Sequence, residues 1–169
     1  MGEKENKYYE RNLLRDYLRQ YKRCKNKEAV LRERIARISE YKNDPLKSVD
    51  ITGMPRGGGI SPGAASLTLE IDSLMERVEE QVAASVAVLE NVMDVLEFLP
   101  EHSMERDILE RKYIDLKSEG AIEKALAISR STLNYYAAAG LDKLLTYDKV
   151  RAILASYEDY MEKRRGTEV

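Results

Sequence analysis

Between residues 67 and 99 the chain runs without a single glycine or proline. Ile71, Met75, Val78, Val82, Ser85, Leu89, Val92, Leu96 and Leu99 recur there in alternating steps of four and three. Only a long α-helix brings such residues to one side. Ser85 is the one polar member of this heptad seam. The apolar face widens after Ala83, where Val86, Val88, Met93, Val95 and Phe98 join it. A face that broad needs more than one neighbour. A second helix of the same chain is the simplest first neighbour, and a second copy of the chain is expected as the other. The oligomer seam is therefore expected at Ile71, Met75, Val78, Val82, Leu89, Val92 and Leu96, with a dimer favoured.

Residues 4–42 also lack glycine and proline and are rich in strong helix formers, which predicts one long helix. Leu14, Tyr17, Tyr21, Cys24, Leu31, Ile35 and Ile38 mark its packing stripe or coiled-coil seam, and Glu28 breaks it. Tyr8, Tyr9, Tyr17, Tyr21 and Tyr41 read as amphipathic tyrosines on a partly buried helix, with stacking on bases as the alternative. Charge separates sharply along the chain. Residues 1–42 hold thirteen Lys/Arg and seven Asp/Glu; residues 67–103 hold one Arg and nine Asp/Glu. The acidic helix is accordingly expected to fold back on the basic one as a hairpin. Between them, residues 43–66 collect Gly53, Gly57, Gly58, Gly59, Gly63, Pro55 and Pro62 as a linker. This glycine-rich stretch lacks the Gly-Lys-Ser/Thr ending of a phosphate-binding loop, although Arg56 would be available to a phosphate.

Several function classes lose ground on composition. With one cysteine, Cys24, no disulfide can form within the chain, and with one histidine, His102, a Cys/His zinc cage is excluded within one chain. No apolar run approaches the roughly 20 residues of a membrane helix, and the charged first twenty residues do not resemble a secretory signal. A net charge of −2 argues against indiscriminate coating of nucleic acid. His102 has only Ser103 beside it as a nucleophile, and the many carboxylates show no metal-selecting spacing. Neither enzymatic activity nor a cofactor or metal is expected, and the chain is expected in the cytoplasm.

Residues 104–144 carry the functional reading. Ile108, Leu109 and Tyr113 give a first short helix its apolar edge. Leu116-Lys117-Ser118 breaks the pattern. Ile122 and Leu126 mark a second helix, and Ala127-Ile128 makes a turn. Ser129 then caps a third helix, its side-chain oxygen accepting from the N–H groups two or three residues on. Leu133, Tyr136 or Ala137, Leu141 and Leu144 form the buried edge of that helix. Two short helices and a tight turn before an exposed third are the plan of a helix-turn-helix DNA reader. A last helix follows over residues 146–165 and ends in Lys163-Arg164-Arg165.

Lys112-Tyr113-Ile114-Asp115, Ser118, Ile122, Leu126, Ser129-Arg130-Ser131-Thr132-Leu133, Leu141 and Leu144 resemble region 4 of the sigma-70 factors, without a gap from Lys112 to Leu144. Leu99-Pro100-Glu101 is similar to the way that region begins. The nearest likeness is to the short sigma-region-4-like proteins of bacteriophages, the RinA- and ArpU-type late-transcription regulators. Gly53-Met54-Pro55-Arg56-Gly57-Gly58 is similar to a stretch in some of them. The resemblance implies double-stranded DNA as a partner, contact with host RNA polymerase, and a bacterial host.

On this reading the third helix enters the major groove with its N-terminal turn foremost. Arg130, Ser131, Asn134, Tyr135 and Ala138 stand on its open edge. Arg130 suits guanine and Asn134 suits adenine, bidentate pairs that each discriminate by roughly 1–3 kcal/mol. Ser131 and Thr132 suit phosphate or base contacts, Tyr135 a sugar or thymine methyl, and Lys117 and Ser118 the backbone. Ser129 completes the set as cap. Glu123 stands where the sigma pattern has a small alanine, so it must turn outward or open the packing. Gly120 lies within the second helix, and Ala137-Ala138-Ala139-Gly140 is smooth enough to invite close approach of another helix.

The expected architecture is all-α: a long N-terminal helical hairpin, a helix-turn-helix and a C-terminal helix. Its divisions are a basic helix (1–42), a linker (43–66), an acidic amphipathic helix (67–103), a helix-turn-helix domain (104–147) and a C-terminal helix and tail (148–169). The expected function is sequence-specific DNA binding in transcription regulation. The alternatives are a packaging protein resembling small terminase subunits, and a helical protein–protein interaction module without DNA binding.

Overall fold

The computed structural model describes residues 3–43 and 64–167. They form seven helices and, among the described residues, no strand: α1 (Glu3–Leu18), α2 (Gln20–Asn43), α3 (Ala64–Leu96), α4 (Met104–Tyr113), α5 (Glu119–Leu126), α6 (Arg130–Leu144) and α7 (Asp148–Thr167). The fold is all-α, with a helical hairpin preceding the helix-turn-helix and the C-terminal helix. No helix among the described residues is long and apolar enough to cross a membrane. The glycine-rich stretch 53–59, with Arg56, lies outside the described residues.

Two compact units divide the chain, Met1–Arg23 with Val86–Val169, and Cys24–Ser85. These cut across the divisions expected from the sequence, and residues 104–147 are not a domain of their own. The reason lies in the core of the first unit. Leu14 and Leu18 of α1, Val92, Val95 and Leu96 of α3, and Val150 and Leu154 of α7 belong to one buried cluster with Ile108, Leu133, Leu141 and Leu144. The helix-turn-helix has no separate hydrophobic interior.

The single helix expected over residues 4–42 is interrupted at Arg19. Backbone hydrogen bonds continue across it, Arg19 N–H to Arg15 C=O and Arg23 N–H to Arg19 C=O, both 3.1 Å, so the interruption is a kink. It falls directly after Leu18, the last α1 side chain in the core. The basic helix also finds different acidic partners from those expected. Arg11 forms a bidentate pair with Asp142 of α6, and Lys7 Nζ lies 3.1 Å from the same carboxylate. On α7, Glu158 accepts from the Tyr9 hydroxyl, while Tyr157 donates to Asp16 over 2.7 Å. Tyr17 and Tyr157 meet edge to face, their centroids 5.4 Å apart. Tyr8 and Tyr41 are exposed, so the tyrosines do not share one buried stripe.

The second unit contains the α2–α3 helical hairpin. Gln81 of α3 donates to the Cys24 carbonyl of α2 over 3.4 Å. Ser85, the polar member of the seam, is buried and donates to the Gln81 carbonyl over 2.8 Å, which satisfies its hydroxyl without a partner from another helix. Glu28 is buried rather than solvent-facing. Lys25 at 2.6 Å and Arg32 at 2.8 Å, both on its own helix, neutralise it.

The expected oligomer seam requires correction at two positions. Val92 and Leu96 have no exposed surface, because the first unit's core takes them. Leu89 is half-buried. In the second unit Ile71, Val78 and Val82 are half-buried, and Met75 remains half exposed.

Candidate nucleic-acid interface

Three serines organise the helix-turn-helix. Ser103, Ser118 and Ser129 have extended backbones before α4, α5 and α6, and each accepts from the N–H three residues on: Arg106 at 3.2 Å, Ala121 at 3.3 Å and Thr132 at 3.2 Å. Each thereby satisfies one of the free donors at a helix start. Ser129 Oγ also lies 2.8 Å from both Ser131 Oγ and Thr132 Oγ1, which gathers three hydroxyls at the tip of α6. Ser103, the hydroxyl beside His102, is thus engaged as a cap.

The chain reverses between these helices through two residues with positive φ. Leu116, at φ 54°, stands between α4 and α5, where Lys117 N–H reaches back to Arg111 C=O over 2.9 Å. Ala127, at φ 52°, ends α5 in the left-handed region, and its N–H bonds to Glu123 C=O. A non-glycine residue in that region costs about 1–2 kcal/mol, which the surrounding packing must outweigh.

α6 buries Leu133, Ala137, Gly140, Leu141 and Leu144. At Gly140 it runs so close to α4 that an added Cβ would lie 2.9 Å from Leu109 Cδ1 and 3.0 Å from Glu105 Cβ. That is the close helix approach anticipated from the small-residue run. At Gly120 an added Cβ would meet nothing within 4 Å, so that glycine answers to no packing demand.

The opposite edge of α6 faces outward. Arg130 is 69% exposed in its side chain and Tyr135 is 70% exposed; Ser131 and Asn134 are exposed, and Thr132 and Ala138 are partly covered. Tyr135 leans edge-on against Tyr136, with ring centroids 5.4 Å apart. Lys117, Ser118 and Ser129 are exposed at the ends of α5 and α6. The structure therefore brings Ser129, Arg130, Ser131, Asn134 and Tyr135 onto one surface. Thr132 turns partly toward the cap.

No protein-family model, curated protein or solved structure matches this chain.

Glu119 was not singled out in the sequence, and Lys112 entered there only through the resemblance to sigma region 4. Glu119 bridges Lys112 of α4, at 2.7 Å, and Arg130 of α6, at 3.0 Å. Glu123 is partly covered, its side chain 27% exposed, and its carboxylate lies 3.8 Å from Arg130 Nε at the start of α6. The hydrogen bond from Lys112, then that from Arg130, pulls the Glu119 carboxyl down to about 2. The same carboxylates hold the Arg130 guanidinium above its usual range, Glu119 first. Acidic side chains in the first turn of a helix are common, because they meet the positive end of its dipole. Position alone thus gave no signal that Glu119 would join three helices. Among the described residues, no group of three or more His, Cys, Asp or Glu is placed to hold a metal ion.

Proposed function

We propose that this chain is a sequence-specific DNA-binding transcription regulator of phage or prophage type, with α6 as its reading helix. The observation that carries the reading is the division of α6 into two edges. Leu133, Ala137 and Leu141 fasten one edge to the core, while Arg130, Ser131, Asn134 and Tyr135 stand open on the other. A helix held rigidly by one side and bearing polar groups on the other suits insertion into a major groove. The resemblance to sigma region 4 supports the regulatory role, and it supplies RNA polymerase as the further partner.

Affinity measurements on a duplex selected from a random pool, against a scrambled duplex, test this. Arg130→Ala should weaken binding to the selected duplex about tenfold or more while changing the scrambled one much less. Equal losses on both would count against base readout. Raising the salt should weaken both probes, since phosphate contacts release counterions.

A second copy is the proposed partner of α3 in the second unit. Leu69 and Met75 leave apolar surface in water there, among Glu70, Asp72, Glu76, Glu79 and Glu80. Residues 24–43 of the same unit carry six Lys/Arg against three Glu, and with Lys25, Arg32 and Arg37 paired on their own helix, Lys27 and Arg34 supply the complementary charge for a two-fold pairing. Sedimentation at micromolar concentration checks it. A dimer accords with the regulator, a large ring with a packaging component, and a monomer removes the pairing.

A further inference from the structure

Arg130 is exposed, yet it is not a loose side chain. Its Nη2 donates to Glu119 Oε2 over 3.0 Å, and its Nε lies 3.8 Å from Glu123 Oε1. Glu119 is itself anchored, because its other oxygen accepts from Lys112 of α4 over 2.7 Å. Lys112 is the more enclosed of the two cations, with its side chain 24% exposed. The guanidinium is thus tethered through α5 to α4 before any ligand arrives, while its remaining N–H groups stay open. A tethered arginine loses less freedom when it docks on a base edge. It is also less able to swing onto whichever phosphate is nearest. The two carboxylates add repulsion toward the backbone of every duplex, and only a well-matched base offsets that repulsion.

Resting on the DNA-reading function proposed above, we propose that Glu119 is a positioning residue that sets specificity: it holds Arg130 for a base edge and withholds it from non-selective phosphate contact. Glu119→Gln keeps the side chain's shape and removes the charge that holds the tether, leaving at most a neutral hydrogen bond. The free arginine then binds any backbone.

Binding is measured for a duplex selected by the wild-type chain and for the same duplex with the guanine that Arg130 reads replaced by adenine. Glu119→Gln should tighten binding to the altered duplex several-fold and reduce the discrimination between the two by about tenfold, the scale of one bidentate base contact. In an Arg130→Ala background, Glu119→Gln should leave discrimination unchanged. Lys112→Met releases Glu119 without touching α6; it should shift discrimination the same way, and it keeps the test decisive if Glu119→Gln folds poorly. A purely structural tie would lower the melting temperature and leave discrimination intact. Wild-type discrimination retained by both single variants overturns the proposal. A wild-type chain that prefers no duplex over another removes the DNA-reading function itself, and the role of Glu119 falls with it.

Discussion

At the scale of single residues, the ionisation of Glu119 reaches beyond DNA. Its carboxyl lies at about 2 in the folded chain, against an ordinary 4.5. A group whose folded value is depressed contributes its stability above the unfolded value and loses it as pH falls through the folded one. The Glu119 contribution is therefore complete above about 4.5 and is lost toward about 2. Asp142 is lowered chiefly by Arg11 and also by Lys7, and Glu28 chiefly by Lys25, so both act in the same direction. The folded chain should weaken steadily in urea from about pH 5 downward, and Glu119→Gln should flatten part of that slope. Parallel wild-type and variant curves would contradict the assignment. The cap Ser129 was legible in the sequence because capping is a transaction among four neighbouring residues; Ser118 was read only as a break and a backbone contact, and its capping of α5 came from the structure. The link from Lys112 through Glu119 to Arg130 spans three helices, and no local rule foretells it.

At the scale of elements, the two glycines of the helix-turn-helix separate backbone preference from packing. Gly120→Ala on α5 enters open space and should stabilise the fold by about 1 kcal/mol, the difference in helix propensity. Gly140→Ala gains the same propensity but drives its methyl into Leu109 and Glu105, where overpacking costs about 1–3 kcal/mol, so it should be neutral or destabilising. Thermal melts of the two variants should move in different directions or by clearly different amounts; equal stabilisation would show that α4 yields at the crossing. Helix periodicity placed α4 through α7 within a few residues of their observed limits, since short helices between clear breakers leave few alternatives. The kink at Arg19 was not legible, because no glycine or proline marks it. Burial of Val92 and Leu96 was missed for a related reason. Periodicity shows that a face is apolar but does not say which element covers it.

At the scale of the whole molecule, the α6 surface depends on residues far from it in sequence. Leu18 has no exposed surface and shares its cluster with Leu133, Leu141 and Leu144. Leu18→Ala should cost about 2–5 kcal/mol. Because the interior is shared, that loss should also speed hydrogen exchange at the α6 amides, which an independently folded helix-turn-helix would not show. The tie between Arg11 and Asp142 joins positions 131 residues apart, and that between Tyr9 and Glu158 joins positions 149 apart. A chain made from its N-terminus onward therefore releases α1 first and the surfaces that receive it last. Until α6 and α7 emerge, Arg11 and Tyr9 lack the carboxylates of Asp142 and Glu158 that receive them, and this small helical protein must close its longest loops late, as slow-folding sheet proteins do.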